Sequence, residues 1–544
     1  MKTKVWLWIV IAVVVIAAGI LVWNSQKPTP PAEEVAKPAD VAGFNPDLFV
    51  YAGAGDAETL DPSKAYDTAS SEIIFQCYDN LLAYKPGSLT EFIPMLATEV
   101  PTVENGLISK DGLTYTFPIR KGVKFHNGAI LTPEDVEYSF ERNMLADPVG
   151  GPMWMLLEPL LGVGTIEDYA CQLAGVDDFS KVDEKNLIKT AQAVMNAVEV
   201  KGDSVVFHLA QPYPPFLSIL ARNCSWSVIL NKKWMIEHGD WDGKAETWTK
   251  WHNLELEEQT LFATAMGTGP YKHISWNRSN STHTLEAHAD YWRGKAAIKT
   301  AIINNSVTEF NTRKLMLERG EADAIYVPVE NSPQIEGTPG VNLIRGLPRL
   351  NNVCAIFNQE INAVDNEFVG SGKLDGNGIP PDFFSDINIR KAFCYAFDYE
   401  AFINEVVLGE ASVPYGVIPK GLSDFFDEKG FQYSYDLAKA EEYFKKAFNG
   451  QVWEKGFKLT LVWNIPNTTR KTACEILKHG IESINPRFKV AAEGARKLQE
   501  FQLQRAEEQR QREGVAFGET VTMTIAGVIV AAILALALTW FLVR

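Results

Sequence analysis

The sequence predicts a mixed α/β or α+β protein of more than one lobe, set between two apolar ends. Short alternating strands and helical runs interleave from about residue 48 to residue 490, the pattern of a fold that packs helices on sheets. Its 544 residues, 46% of them apolar, suffice for two or three lobes with real cores. No internal period of about 20 to 50 residues marks a solenoid or a propeller.

The elements follow in order. Residues 5–23, VWLWIVIAVVVIAAGILVW, carry no charge and follow Lys2 and Lys4, the layout of a signal peptide or signal anchor. Cleaved segments usually have an apolar core of about 7 to 15 residues, so this longer run predicts an uncleaved membrane anchor. The first cysteine is Cys77, so no lipoprotein anchor is written here. Residues 24–46 are rich in Pro, Ala and Glu without apolar periodicity, as in an extended tether.

Residues 70–82, SSEIIFQCYDNLL, read as a helix. In GLTYTFPIR (112–120), Leu113, Tyr115 and Phe117 alternate with Thr114 and Thr116, which predicts a half-buried strand. Turn signals at Lys121-Gly122 and Asn127-Gly128 leave Val123 and Phe125 on a second short strand. Thr132 then stands where it can cap a helix opened by Pro133, with Glu134 and Asp135 in the first turn complementing the free amides. Val136, Ser139, Phe140 and Asn143 recur at helical spacing and give that helix one narrow packing face. Further on, 198–209 alternates as strand and 309–322 reads as helix. Residues 494–514, GARKLQEFQLQRAEEQRQREG, form a polar helical stalk with no sustained heptad. Residues 521–543 are again uncharged, and Arg544 follows, so a second membrane helix is expected. With Lys2, Lys4 and Arg544 all on the inner side, everything between the two anchors lies outside the cell.

A net charge of −17 leaves no basic stripe for phosphates, so nucleic acid is excluded as a partner. The six cysteines show no C-x-x-C or zinc spacing; they pair as disulfides in an exported chain or serve as small buried side chains. No H-E-x-x-H, G-x-S-x-G or Walker A sequence occurs, and GAGDAE (53–58) is a turn rather than a dinucleotide loop. His283 and His288 sit five apart on a strand-like run and face opposite ways, a poor metal pair. No enzyme activity, cofactor or metal is therefore expected. The distinctive feature is aromatic residues near turns: Tyr66, Trp154 and Trp226 are each either a lid on a core or a wall of a cleft.

The segment GLTYTFPIRKGVKFHNGAILTPEDVEYSFER resembles the signature of the family 5 extracellular solute-binding proteins, the peptide- and nickel-binding components of ABC importers. Other segments resemble that family in the same order: AETLDPSKAYDTASSEIIFQCYDNLLAY, FIPMLATEV, GTGPYKHISWNRSNSTHTLEAHADYWRGKAAI, RLNNVCAIFNQEI, INIRKAFCYAFDYEAFINEVVLGEASVPYGVIPKGL, YDLAKAEEYFKKA and GFKLTLVWNIPNTTRKTACEILKHGIESINPRFKV. The resemblance runs over about residues 56–490, and TLDPSKAYDTAS is most similar to the oligopeptide and dipeptide branch.

This resemblance implies an α/β, two-lobed periplasmic-binding-protein-like (type II) fold with an extra subdomain, a hinge of crossing segments and a ligand cleft between the lobes. The implied layout is an anchor over 1–23, a tether over 24–46 and a first lobe over 47–300 with a subdomain inserted at about 76–200. A second lobe follows over 301–493, then a stalk over 494–519 and a membrane helix over 520–544. The loop TLDPSKAYDTAS and a strand at RLNNVCAIFN are implied to border the cleft, so Asp61, Tyr66, Asn351 and Asn352 are ligand-contact candidates. Trp154 and Trp226 join them on aromatic character. In the family, the chain after PRFKV completes the second lobe and brings an aspartate for the ligand ammonium. Here the stalk follows, so the second lobe is expected to be incomplete. The expected function is a membrane-tethered receptor that captures di- and oligopeptides and delivers them to ABC permease subunits. The alternative is a peptide-binding sensor or holdase-like interaction protein uncoupled from transport.

Overall fold

The computed structural model describes residues 45–494, apart from 89, 223–224, 347–350, 364–365, 423–425 and 466. Both expected membrane anchors, the stalk beyond residue 494 and the tether up to residue 44 lie outside the described residues. Among those described, no helix is long and apolar enough to cross a membrane. The chain divides at Pro46/Asp47, and the unit that begins at Asp47 holds every described strand and helix.

Strand β1 (Leu48–Ala52) leads through the 53–58 turn to helix α1 (Thr68–Cys77), capped by the Asp67 carboxylate, which accepts from the Ser70 N–H at 2.7 Å. The helix expected to continue to Leu82 stops at Cys77. Gly269 donates its N–H to the Cys77 carbonyl, and Leu82 already belongs to β2 (Leu82–Tyr84), paired with β3 (Phe92–Pro94). Strand β4 (Thr114–Pro118) buries Tyr115 and Phe117, as the alternation predicts. The second strand expected at Val123 and Phe125 does not form. Both side chains are buried, but Lys124 makes only an isolated bridge to Ile130, and the His126 N–H turns away to the Gly267 carbonyl.

Helix α2 (Pro133–Ala146) starts where its cap signals placed it, with the Asp135 carboxylate accepting from the Thr132 N–H at 2.9 Å. Its packing differs from the single face expected. Tyr138, Glu141, Arg142, Met144 and Leu145 are buried too, because protein surrounds α2 on nearly every side. Helix α3 (Trp154–Leu161) and helices over Ile166–Ala174 and Glu184–Ala197 follow. Strands β5 (Val198–Lys201) and β6 (Ser204–His208) then complete an antiparallel sheet of order β4-β6-β5.

Strands β7 (Tyr271–Asn277), β8 (Thr282–Ala287), β9 (Thr300–Asn304) and, after helix α4 (Phe310–Glu318), β10 (Ala324–Ile325) return to β1. They build one sheet of order β10-β1-β9-β8-β7, in which β1 runs parallel to both neighbours. This sheet crosses residue 300, the boundary expected between the lobes, because β1 takes its two partners from residues 300–325. One hydrophobic core unites this sheet with the inserted one, from Ala57 to Ile303.

A separate core forms among helix α5 (Ile387–Ala396), helix α6 (Leu437–Lys446), strand β11 (Phe457–Trp463), helix α7 (Thr468–Ile484) and strand β12 (Phe488–Gly494). Strands β11 and β12 pair in parallel across α7, and the Phe457 and Phe488 rings stack at 4.5 Å. Gly480 lets α7 lie directly on α5: a Cβ there would come within 2.0 Å of the Ala396 carbonyl. Gly494 closes β12 rather than opening the stalk. The strand expected around Asn351 is absent, since no described strand pairs with that segment, and Val353 and Ile356 stay exposed. The five described cysteines, at 77, 171, 354, 394 and 474, are all free thiols.

Candidate functional site

Asp61 organises the loop that follows the 53–58 turn. With Pro62 fixing φ at the second position, its carbonyl accepts from the Lys64 and Ala65 N–H groups, while its Oδ1 accepts from the Ser63 N–H at 3.0 Å and Oγ at 2.7 Å. The other side of the carboxylate meets Arg142 from α2. Its Nη1 and Nη2 donate to Asp61 at 2.6 and 2.7 Å, and Nε and Nη2 donate to Asp240 at 3.0 and 2.8 Å. All three side chains are at most 3% exposed.

Two carboxylates facing one guanidinium leave a buried excess negative charge, which further donors spread: the Trp241 N–H reaches Asp240 at 2.8 Å. Burial pushes the Asp61 carboxyl up, but the Arg142 charge and the hydrogen bonds more than reverse this and hold it below the usual carboxylate range. Burial alone would make Arg142 easier to deprotonate, yet Asp240 and Asp61 hold it well above its ordinary value. The Asp61–Arg142–Asp240 cluster thus pins the 61–66 loop from beneath.

Above that pin the loop presents Tyr66, 47% exposed, whose ring meets the edge of Trp226 at 6.2 Å. Trp226 itself is buried. Its Nε1 donates to the Ile219 carbonyl at 3.1 Å, and its own carbonyl accepts from Asn143 Nδ2 at 3.3 Å, one residue along α2 from Arg142. On the other side Lys64 Nζ donates to the Val149 carbonyl at 2.8 Å, and Gly151 sits so close that a Cβ would lie 2.7 Å from the Ser63 carbonyl. This docks the 148–153 loop on the 61–66 loop. Trp154, 42% exposed, stands at the head of α3 where that loop ends. The structure thus gathers the loops carrying Asp61, Tyr66, Trp154 and Trp226 around one buried cluster, with Tyr66 and Trp154 facing solvent.

Asn351 and Asn352 lie apart from this group, in the second half of the chain. Asn351 is exposed, and Asn352 Nδ2 donates to the Gly416 and Val417 carbonyls, each at 3.1 Å. Between the two regions, Arg313 gathers the Val307, Thr308 and Tyr326 carbonyls, fixing the chain where it leaves the first sheet. A few residues later the Glu330 carboxylate accepts from Thr468 Oγ1 and from Thr469 Oγ1 at 3.0 Å, at the start of α7. Sequence reasoning missed Arg142, Asp240 and the crossing contacts. No local signal marked Arg142, which lies off the packing face read at Val136, Ser139, Phe140 and Asn143.

The chain thus carries two hydrophobic cores, with the Tyr66 and Trp154 side chains exposed near a buried ion cluster. The family model for the middle region of the bacterial extracellular solute-binding proteins, family 5, matches residues 91–517, and the chain belongs to that family. The chain is 27% identical to the dipeptide-binding protein of Escherichia coli K12, over 78% of this chain and 64% of that one. It is 26% identical to the heme-binding protein A of Haemophilus influenzae, over 86% and 74% respectively. Against the oligopeptide-binding protein OppA of Bacillus subtilis, the identity is 25% over 76% and 65%. The chain thus spans just under two thirds of the length of the dipeptide- and oligopeptide-binding relatives. In fold it is similar to the periplasmic binding protein DppA of Helicobacter pylori in complex with the peptide STSA (TM-score 0.56, 22% identity, 82% of this chain and 73% of that one). It is equally similar to AppA of Bacillus subtilis in complex with a nonapeptide (TM-score 0.57, 19% identity, 82% and 74%).

Proposed function

We propose that this chain is an extracytoplasmic receptor that captures di- or oligopeptides and hands them to the permease subunits of an ABC importer. The observation that carries the reading is the convergence of the 61–66, 148–154 and 225–227 segments on the Arg142 cluster, which presents aromatic surface on a rigid base. Rigid aromatic walls give broad contact area at little entropic cost, and a chain that must accept varied side chains gains from contacts that do not read them closely. Relatives named for dipeptides and oligopeptides support peptide as the ligand class.

In this reading Tyr66 and Trp154 touch the ligand, while Asp61 and Trp226 act beneath them. Asn351 and Asn352 approach from the other lobe as the crossing segment bends. A closing motion signals occupancy only if ligand binds the closed form more tightly. The uncharged runs at 5–23 and 521–543 tether the receptor to the cell membrane, with 495–519 as stalk and the binding domain on the extracytoplasmic side. Native mass spectrometry of the purified protein, before and after mild denaturation, tests the proposal. Release of a heterogeneous set of short peptides is the expected result. A chain that is empty and stays empty in a micromolar mixture of diverse peptides would sink it. Crosslinking in native membranes should capture permease subunits, and capture of a signalling receptor instead would favour the sensor role.

A further inference from the structure

The aromatic shelf carries charge at odds with the rest of the chain. Against a net charge of −17, two cations belong to this shelf, Lys64 two residues before Tyr66 and Arg222 at the Trp226 ring that Tyr66 meets, and no ion pair joins either to a carboxylate among the described residues. Arg222 is exposed and holds its guanidinium 5.4 Å from the centroid of the Trp226 ring, the same ring that Tyr66 meets edge-on. Its backbone is pinned, because its carbonyl accepts from Asn80 Nδ2 at 2.8 Å and from Ser227 Oγ at 3.4 Å. Lys64, two residues before Tyr66, spends its ammonium on the Val149 carbonyl. Arg278 makes a useful contrast. It stacks on Phe262 and Trp276 in the same manner, but Glu257 lies 3.9 Å from its Nη1.

An exposed guanidinium held beside an indole ring keeps N–H groups available, and its planar fork can receive a carboxylate through two parallel hydrogen bonds. We infer that Arg222 is a specificity-determining residue that receives a carboxylate of the ligand on this shelf, with Lys64 adding positive charge beside it. The inference rests on the peptide reading and narrows it: the ligand reaches the shelf with its C-terminal carboxylate or with an acidic side chain.

Calorimetric titration of the full chain separates these cases with three probes: tri-alanine, its C-terminal amide, and the same amide with a central glutamate. Tri-alanine is expected to bind about tenfold more tightly than its amide, as one charge-assisted contact at a partly solvated site warrants. Arg222→Gln should erase that difference, Arg222→Lys should restore part of it, and the remote Arg278→Gln should leave it intact. Tight binding of the glutamate-bearing amide, lost in Arg222→Gln, would assign the shelf to side-chain carboxylates as well. Equal affinity for tri-alanine and its amide, or a preference that survives Arg222→Gln, overturns the inference while leaving the peptide reading in place. Failure of all three probes to bind the unmodified chain overturns the peptide reading, and this inference with it.

Discussion

Replacing Arg142 by methionine tests whether the ion cluster is what holds the 61–66 loop. The substitution keeps most of the volume of the side chain and removes four charge-assisted hydrogen bonds, two to each aspartate. Those bonds do not add, and the governing cost is two carboxylates left in a site that water does not reach. Breaking a buried ion pair by removing one partner costs about 3–5 kcal/mol, so about 4 kcal/mol is expected here at pH 8. The cost should depend on pH in a defined direction. In the unmodified chain the Asp61 carboxyl is held low, so its contribution is complete above its unfolded value near about 4 and fades only below that. In Arg142→Met only the Ser63 hydrogen bonds still oppose burial, which raises it, so the folded variant takes up a proton as pH falls from 8 to 5. The penalty should then shrink by about 1–2 kcal/mol, one raised pKa unit being worth about 1.4 kcal/mol. Urea unfolding at both pH values, followed by tryptophan fluorescence, reads this directly, because Trp226, Trp241 and Trp248 all lie in the affected core. A penalty under about 1 kcal/mol, or one that is the same at pH 5 and pH 8, would refute the reasoning.

Other outcomes follow from single residues. Burial, and next the Glu137 charge, push the Glu141 carboxyl up to about 8, so folding retains a proton there and stability falls as pH rises from the unfolded value near about 4 toward 8. Glu141→Gln should therefore be more stable than the unmodified chain at pH 8, by roughly 2 kcal/mol, and no more stable near pH 4; a deficit at pH 8 would contradict the assignment. Gly269→Ala places a Cβ 2.5–2.7 Å from backbone atoms of residues 76–78, which cannot move without breaking the end of α1. Its melting temperature should drop by about 5 °C or more, and an unchanged value would mean that this contact yields easily. Glu330→Ala removes the acceptor of two threonine hydroxyls at the head of α7. Amide exchange over 329–336 should accelerate at least about threefold without loss of protection in β1 or β9, and uniform acceleration would show that the contact serves the global fold.

Legibility from sequence tracked how local each determinant is. Strand β4 and helix α2 could be read because alternation, the Thr132-Pro133 entry and the acidic first turn lie within a few residues of what they specify. Helix α1 ends early because Gly269, almost two hundred residues away, takes its last carbonyl, and no pattern in residues 70–82 encodes that. The expected strand at Asn351 fails for the complementary reason: extended, apolar residues become a strand only beside a partner. The exposure of Tyr66 could be read because it is a loop aromatic with no periodic role. Arg142 could not, since its two carboxylates stand 81 and 98 residues distant and any charge in a helix reads first as solvated. Trp226 had two readings, and its buried indole beneath an exposed tyrosine contains a little of each.

The central position of β1 dictates an order of events during synthesis. Leu48 pairs with Thr300 and Tyr51 with Ala324, separations of 252 (300 − 48) and 273 (324 − 51) residues. At about 5–20 residues per second, the first pairing must wait roughly 13–50 s after β1 is made. The inserted sheet needs far less, since Thr114 meets His208 across 94 (208 − 114) residues. The inserted sheet and its helices can therefore settle while the strand at the start of the described chain is still bare on both edges, exposed to proteases and to other nascent chains. The protein is assembled from its middle outward, and its first described strand is among the last to be secured.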